Sequence, residues 1–343
     1  MNNKYSIIIG NCDVFYRTAG YKAPHDVRIT LDELGFKSVF FDGSSGIKLV
    51  SLLQIMLRII KFSFCLRKGD VVFVQYPSYP LLFTVMPFFM RCRNRVVLIH
   101  DFHSLRLKGR MSIIEKLNIR LFNKIIVHTP NMKDYLSKFY PDKSYYILGC
   151  FGYMLAPKSV DEEKCQRENN RVLSTEICFA GNLDKSLFVR RLIAENGIGC
   201  KYHLYGKLTT MDNIMASNII YEGVFHPDAV CCLKGSWGLV WDGGSISSCN
   251  GFLGEYLKII APHKFSLYLA VGLPVIVWSG SAMAAVVKEK NIGIVINSLY
   301  ELKDRIESVS QGEYAKILDN ALLLSKDIRN NVMLKTIMTS LCE

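Results

Sequence analysis

The chain has no run of the ~18 apolar residues that a membrane-spanning helix requires. Its closest approach, Leu81 to Met90, is short and contains Pro87. The opening Met1-Asn2-Asn3-Lys4 leads straight into a strand-like run and lacks a signal-peptide layout. Eleven cysteines are scattered, the pair Cys231-Cys232 among them, yet no CxxC occurs and no Cys/His group has zinc spacing. These absences exclude a zinc framework and predict reduced core thiols rather than disulfides. No GxGxxG follows a strand, which argues against a nicotinamide-dependent dehydrogenase. Aromatic-flanked RNA-binding motifs are missing, so nucleic acid is not an expected partner.

What is present is apolar and periodic. Half of the 343 residues are hydrophobic, enough for two cores of roughly 150–170 residues each. Strand-like runs recur at Tyr5 to Ile9, Val71 to Val74, Val96 to Ile99, Ile125 to Val127, Ile177 to Phe179, Lys201 to Leu204, Leu239 to Trp241, Val275 to Val277 and Gly293 to Ile296. Most are short, β-branched and unalternating, with helical stretches between, the pattern of parallel sheets covered on both faces. An α/β architecture is expected, with two doubly wound Rossmann-like domains. The polar stretch Ala156 to Arg171 reads as the link between them, dividing the chain into 1–160 and 161–325. Residues 326–343 form a C-terminal helix able to return to the first domain. Gly312 to Glu343 reads as two helices separated near Ser325 to Arg329.

Charge is uneven. Residues 1–165 hold 24 Lys and Arg against 13 Asp and Glu, while residues 166–343 hold 18 against 17. The excess in the first half favours an anionic partner surface: membrane headgroups, nucleic acid or a phosphorylated acceptor. The helix expected over Ile47 to Lys68 carries Lys48, Arg58, Lys61, Arg67 and Lys68 among Leu, Ile, Met and Phe. It reads either as an ordinary sheet-covering helix with a solvated basic face or as a contact for anionic lipids.

The strand ends are where the chemistry gathers. Gly10-Asn11-Cys12-Asp13 follows the first strand, and His100-Asp101-Phe102-His103-Ser104 follows Val96 to Ile99. In the second half, Gly181-Asn182-Leu183-Asp184-Lys185-Ser186, Tyr205-Gly206-Lys207 and Asp242-Gly243-Gly244 follow strands, which points to a ligand at the carboxyl edge of that sheet. The most informative run is His263 to Val277, a short helix, a Gly272-Leu273-Pro274 turn and an apolar strand. It sets Lys264 at a helix N-terminus, where free N–H groups and the macrodipole already favour an anion such as a diphosphate.

These segments in this order resemble a GT-B glycosyltransferase. The nearer match is the bacterial family that includes O-antigen galactofuranosyltransferases and the second-step glucosyltransferase of serine-rich adhesin glycosylation. The stretches that carry the resemblance are Gly69 to Pro77, Ile99-His100-Asp101, Ala180 to Leu183, Trp237 to Asp242, and Gly254 to Leu257 through Pro262-His263-Lys264 to Val277. The last is the specific one. The chain departs from the Glu-x7-Glu pattern of the commonest retaining GT-B families, which favours an inverting enzyme.

The resemblance implies two domains facing a central cleft, a UDP-sugar donor and no cofactor or metal, in keeping with the missing Asp-x-Asp motif. It implies nucleotide-sugar contacts from Lys264, His263, Gly181, Asn182, Lys185, Tyr205, Gly206, Asp242 and Tyr268, with Gly10 and Asn11 across the cleft. Tyr268, one turn beyond Lys264, is at a position more often core than ligand. Inversion needs a general base for the acceptor hydroxyl. Asp101 is the first candidate and His103 the second, with His100 beside them, although an Asp at a strand-to-helix junction also serves as a helix cap. The expected reaction is metal-independent transfer of galactofuranose from UDP to a growing surface glycan such as O-antigen or capsule. The acceptor is expected to be lipid-linked, at the inner face of the cytoplasmic membrane. A glucosyltransferase acting on a GlcNAc-bearing acceptor is the enzymatic alternative. A non-catalytic homologue or a basic membrane- or RNA-binding module is the non-enzymatic one, and homo-oligomerisation is left open.

Overall fold

The computed structural model describes residues 2–9, 19–42, 48–77, 82–155, 171–209, 216–228, 230 and 233–342. Gly10, Asn11, Cys231, Cys232 and most of the polar stretch 156–171 lie outside these. The chain divides into two compact units, Met1–Gly149 with Met333–Glu343, and Cys150–Val332.

Unit 1 runs β1 (Lys4–Ile9), α1 (Ala19–Glu33), β2 (Lys37–Phe41), α2 (Lys48–Ser63), β3 (Val71–Tyr76), α3 (Leu82–Val85), β4 (Asn94–Ile99), α4 (His103–Lys108), α5 (Ile113–Arg120), β5 (Lys124–Val127), α6 (Pro130–Ser137) and β6 (Ser144–Ile147). All six strands pair in parallel, in the order β2-β1-β3-β4-β5-β6. β3 and β4 bury nearly every side chain between the helical layers, which is why they are continuous runs of Val, Ile, Leu and Phe. β2 and β6 lie at the sheet edges and are mostly half-exposed or exposed. That position lets Lys37, Ser38, Ser144 and Tyr145 serve as strand residues, so neither strand is a continuous apolar run. α2 ends at Ser63, short of Lys68, and residues 64–69 turn toward β3.

Unit 2 runs β7 (Glu176–Ala180), α7 (Leu187–Ala194), β8 (Lys201–Tyr205), β9 (Ile219–Gly223), β10 (Trp237–Val240), α8 (Gly251–Leu257), α9 (His263–Ala270), β11 (Val275–Trp278), α10 (Ala284–Lys290), β12 (Gly293–Ile296), α11 (Leu302–Glu307) and α12 (Gln311–Arg329). α13 (Val332–Cys342) carries the chain back into unit 1, where Lys335 pairs with Glu33 at 2.8 Å. The sheet is parallel with the order β12-β11-β10-β7-β8-β9, the dinucleotide-binding arrangement, and its order reverses between β7 and β10. Trp237, Phe179, Phe188, Tyr202 and Trp241 fill its core, each contributing a few kcal/mol of apolar burial, on the order of 1.5–3 for a Phe.

Two further boundaries differ from those expected. The change of unit falls at Gly149 rather than 160, because Tyr153 donates its amide to the Ile328 carbonyl at 3.0 Å and stacks on His263. The C-terminal helices part at Asn330-Asn331 rather than near 325–329. There the buried Asn331 adopts a left-handed backbone, so Ser325 to Arg329 complete α12. Within 81–90, the closest approach to a long apolar run, the described residues form α3 and a following 3-10 turn, Met86–Phe89. Among the described residues no helix is long and apolar enough to cross a membrane.

Candidate functional site

The reversal in unit 2 brings together the ends of β7 and β10, and α9 is built onto both. Gly238 on β10 admits the ring of Tyr268, with which any Cβ at that position would collide. The Tyr268 hydroxyl accepts the Ala180 amide at 2.8 Å. One turn earlier, the Lys264 ammonium donates to the Trp241 carbonyl at 3.0 Å and lies 4.6 Å from the centre of the Phe179 ring. Lys264 and Tyr268 therefore fasten one helix to two strand ends. The far end of α9 is braced as well, since Ser325 and Arg329 both donate to the Ala270 carbonyl.

Electrostatics make this corner ready for an anion. Burial pulls the Lys264 ammonium below the ordinary lysine value, opposed by the charge of Asp242. Among the described residues no carboxylate forms an ion pair with it. A desolvated cation whose partners are a neutral carbonyl and a ring is costly until a counter-charge arrives. α9 is preceded by Pro262, which supplies no side-chain cap, so the helix start keeps donors for a ligand. Cys249 is close by, but burial pushes its thiol up to about 12, which removes it as a nucleophile.

The other expected residues line the same edge. Gly181 donates its amide to the Tyr205 carbonyl at 3.0 Å, joining the ends of β7 and β8. Gly206 has φ +133°, and a Cβ there would overlap the Gly181 carbonyl oxygen. Asn182 closes the turn by accepting the Lys185 amide on its side chain at 3.2 Å. Asp184 fastens the loop to the next one through the Thr209 amide and hydroxyl at 2.7 and 2.8 Å, bonds that hold its carboxyl below the usual range. The loop is thus shaped by its own hydrogen bonds, and the Lys185 side chain is exposed. Asp242 accepts the amide of Gly243 at 2.9 Å.

Two expected contacts belong to the core instead. Tyr268 is fully buried with its hydroxyl on Ala180. Tyr205 is buried too, and its hydroxyl accepts the Lys234 amide at 3.0 Å. Both hold the edge in shape and present little surface to a ligand. His263 packs between Tyr153, stacked at 5.0 Å, and the edge of Phe151 at 6.1 Å.

In unit 1 the end of β4 gathers its own cluster. His100 bonds to Gln75 Oε1 through Nε2 at 2.7 Å, while Gln75 Nε2 donates to the Pro24 carbonyl. Asp101 does not cap α4, because Phe102 occupies that position. Its Oδ2 pairs instead with Arg106 at 3.3 Å, and its Oδ1 is buried without a hydrogen-bond partner. Arg106 also approaches the exposed His103, 3.5 Å from Nδ1. His128, at the end of β5, bonds to the Ile99 carbonyl at 2.8 Å, and burial lowers its pKa to about 4, too low for a base at neutral pH. The sequence reading missed Arg106 and Glu115. Glu115 accepts the Ser112 amide in a capping box, and its other oxygen takes the Ser104 amide at 2.8 Å in the first turn of α4. The Ser112-x-x-Glu115 spacing was the available signal.

One spacing needs correction. Glu168 and Glu176 do stand in a Glu-x7-Glu relation. Glu176 opens β7 at the edge opposite the site, bonded to Lys201 and His203, and Glu168 lies outside the described residues.

Two family models cover most of the chain. The glucosyltransferase 3-like C-terminal domain matches residues 177–341, and the N-terminal domain of the same proteins matches residues 6–148. The chain is 27% identical over 330 residues to the beta-1,6-galactofuranosyltransferase WbbI of Escherichia coli K12, covering 94% of each. It is 23% identical over 288 residues to glucosyltransferase 3 of Streptococcus parasanguinis, covering 80% of this chain and 79% of that one. Among solved structures, HepE of Anabaena in complex with UDP and glucose shares the fold with a TM-score of 0.55 and 11% identity, over 98% of both chains. The chain belongs to the glucosyltransferase 3-like family of glycosyltransferases and has their two-domain α/β GT-B fold.

Proposed function

We propose that this protein transfers a sugar from UDP to a growing surface glycan such as O-antigen or capsule, with inversion and without a metal ion, and that the sugar is galactofuranose. The observation that carries this reading is the half-buried Lys264 ammonium, without an ion-pair partner among the described residues, at the start of α9 beside the reversal point of the sheet. A diphosphate leaving group is the anion such a corner stabilises, most of all as charge develops on it. The UDP and glucose bound by HepE, which has the same fold, support the choice of donor. A β linkage, the one in the name of the E. coli relative, is what inversion makes from an α-linked sugar nucleotide.

The step is a displacement at the anomeric carbon. A base removes the acceptor hydroxyl proton, the oxygen attacks the sugar, and the bond to the diphosphate breaks with its electrons going to the phosphate oxygen. We assign the base to Asp101 first and His103 second.

A glucosyl donor with a GlcNAc-bearing acceptor is the second reading, favoured by the glucosyltransferase 3 relative. UDP release measured across a panel of UDP-sugars decides between them. UDP-galactofuranose is expected to turn over fastest, and Lys264→Ala to lower kcat by about 10²–10³, the effect of removing one transition-state donor, with the melting temperature maintained. Preference for UDP-glucose selects the second reading. Stabilisation by UDP without any turnover marks a non-catalytic homologue and overturns both.

A further inference from the structure

We propose that the outward face of α2, with the neighbouring turn at 90–93, docks on an anionic lipid bilayer. The proposal concerns a surface apart from the Lys264 site and stands independently of the donor assignment.

α2 is apolar on two faces. Ile55 and Ile59 are buried against the sheet, as a covering helix requires. On the other side Val50, Leu53 and Leu57 follow one another at helical spacing, and Phe64 continues the line just beyond the last turn. Leu53, Leu57 and Phe64 are 53, 59 and 76% exposed. A helix covering a sheet ordinarily turns charged and polar residues to water, and one that is apolar all round is covered on its second face as well. The seam is extended by exposed Met90, which follows the 3-10 turn packed beside α2.

The charges around this seam are of one sign. Lys61 lies within it, Arg67 and Lys68 follow it, and Arg91 and Arg93 follow Met90, all of them exposed. The Arg93 amide donates to the Lys68 carbonyl at 3.1 Å, so the two segments form one patch. Between Asp42 and Asp101 the only acidic residue is Asp70. It is wholly buried, holding the amides of Asn3 and Arg67. Arg58 is the exception among the cations, paired with Asp42.

This combination selects the occupant. A second copy of the chain would bring cation against cation. An anionic bilayer takes both features, since aliphatic and aromatic side chains enter the headgroup boundary while lysine and arginine meet lipid phosphates.

Co-sedimentation of the full chain with vesicles tests it. Binding is expected to phosphatidylglycerol–phosphatidylethanolamine vesicles, little to phosphatidylcholine alone, and to weaken as salt rises. Leu57→Glu with Phe64→Glu should lower partitioning at least about tenfold, and each of Arg67→Gln, Lys68→Gln and Arg91→Gln about fivefold. Melting temperature and UDP release in solution should stay as in the unsubstituted protein, since none of these side chains is placed in the donor site. Those two readouts separate failure of the lipid proposal from failure of the transferase reading. Absence of binding to the anionic vesicles overturns the proposal, as does equal partitioning of the variants. A dimer in light scattering that Leu57→Glu with Phe64→Glu splits assigns the face to a second copy and overturns it too.

Discussion

The Tyr268 hydroxyl takes the backbone amide of Ala180 at 2.8 Å, so a residue of α9 completes the hydrogen bonding of the last residue of β7. Removing that oxygen in Tyr268→Phe strands a buried N–H, at a cost of about 1–3 kcal/mol. Urea denaturation should show that loss, together with a raised donor KM, because α9 also positions Lys264. Unchanged stability would mean that Ala180 finds another acceptor.

Gly206→Ala tests how closely the β7 and β8 loops meet. The new Cβ collides with the Gly181 carbonyl, and φ +133° is strained for any L side chain. Since the obstacle is backbone, one of the two loops must move. We expect a loss of about 2 kcal/mol or more in stability and weaker UDP binding by calorimetry, whereas Lys185→Ala, on an exposed side chain, should alter stability by less than about 0.5 kcal/mol. Equal effects from the two substitutions would contradict the geometry.

The base assignment is tested by Asp101→Asn and His103→Gln. Asp101→Asn should lower kcat by about 10²–10⁴, the range for losing a general base, with donor KM little altered. His103→Gln is expected to have the smaller effect. A larger loss in His103→Gln transfers the role to the histidine, and normal turnover in both removes the β4 end from the reaction.

Acid stability should depend on the opposite edge of unit 2. His203 reaches Glu222 through one ring nitrogen at 2.8 Å and Glu176 through the other at 3.0 Å. Hydrogen bonds from Lys201 and then His203 hold the Glu176 carboxyl below its ordinary 4.5. For Glu222, burial pushes upward and is outweighed by hydrogen bonds from His203 and Lys234. Depressed carboxylates stabilise fully above the unfolded value and lose that contribution as pH falls through the folded one. The urea midpoint should therefore drop from about pH 5 downward, and more gently in Glu176→Gln. Parallel curves would remove Glu176 as a source of the acid response.

The interior strands were legible because burial on both faces demands unbroken β-branched runs, as in Val71 to Val74 and Val275 to Val277. β2 and β6 were not, since a sheet edge accepts Lys37 and Ser144 as readily as valine. Lys264 could be placed at a helix start from the order of residues alone. Its contact with Trp241 could not, because it joins positions 23 apart through the twist of a sheet whose strand order no local pattern reveals. The same limit hid Arg106 beside Asp101. At that junction the one-dimensional signal for a helix cap and for an ion-pair partner is the same aspartate, and Phe102 at the cap position decides between them.

Glu115 lends one oxygen to the start of α4 and the other to the start of α5. The bend at 109–112 consequently behaves as a welded joint rather than a hinge. The pitch at which α5 leaves the corner also sets the heading of His103 and Arg106 beside Asp101. A surface change on α5 that tilts its axis would re-aim the β4 end without touching it.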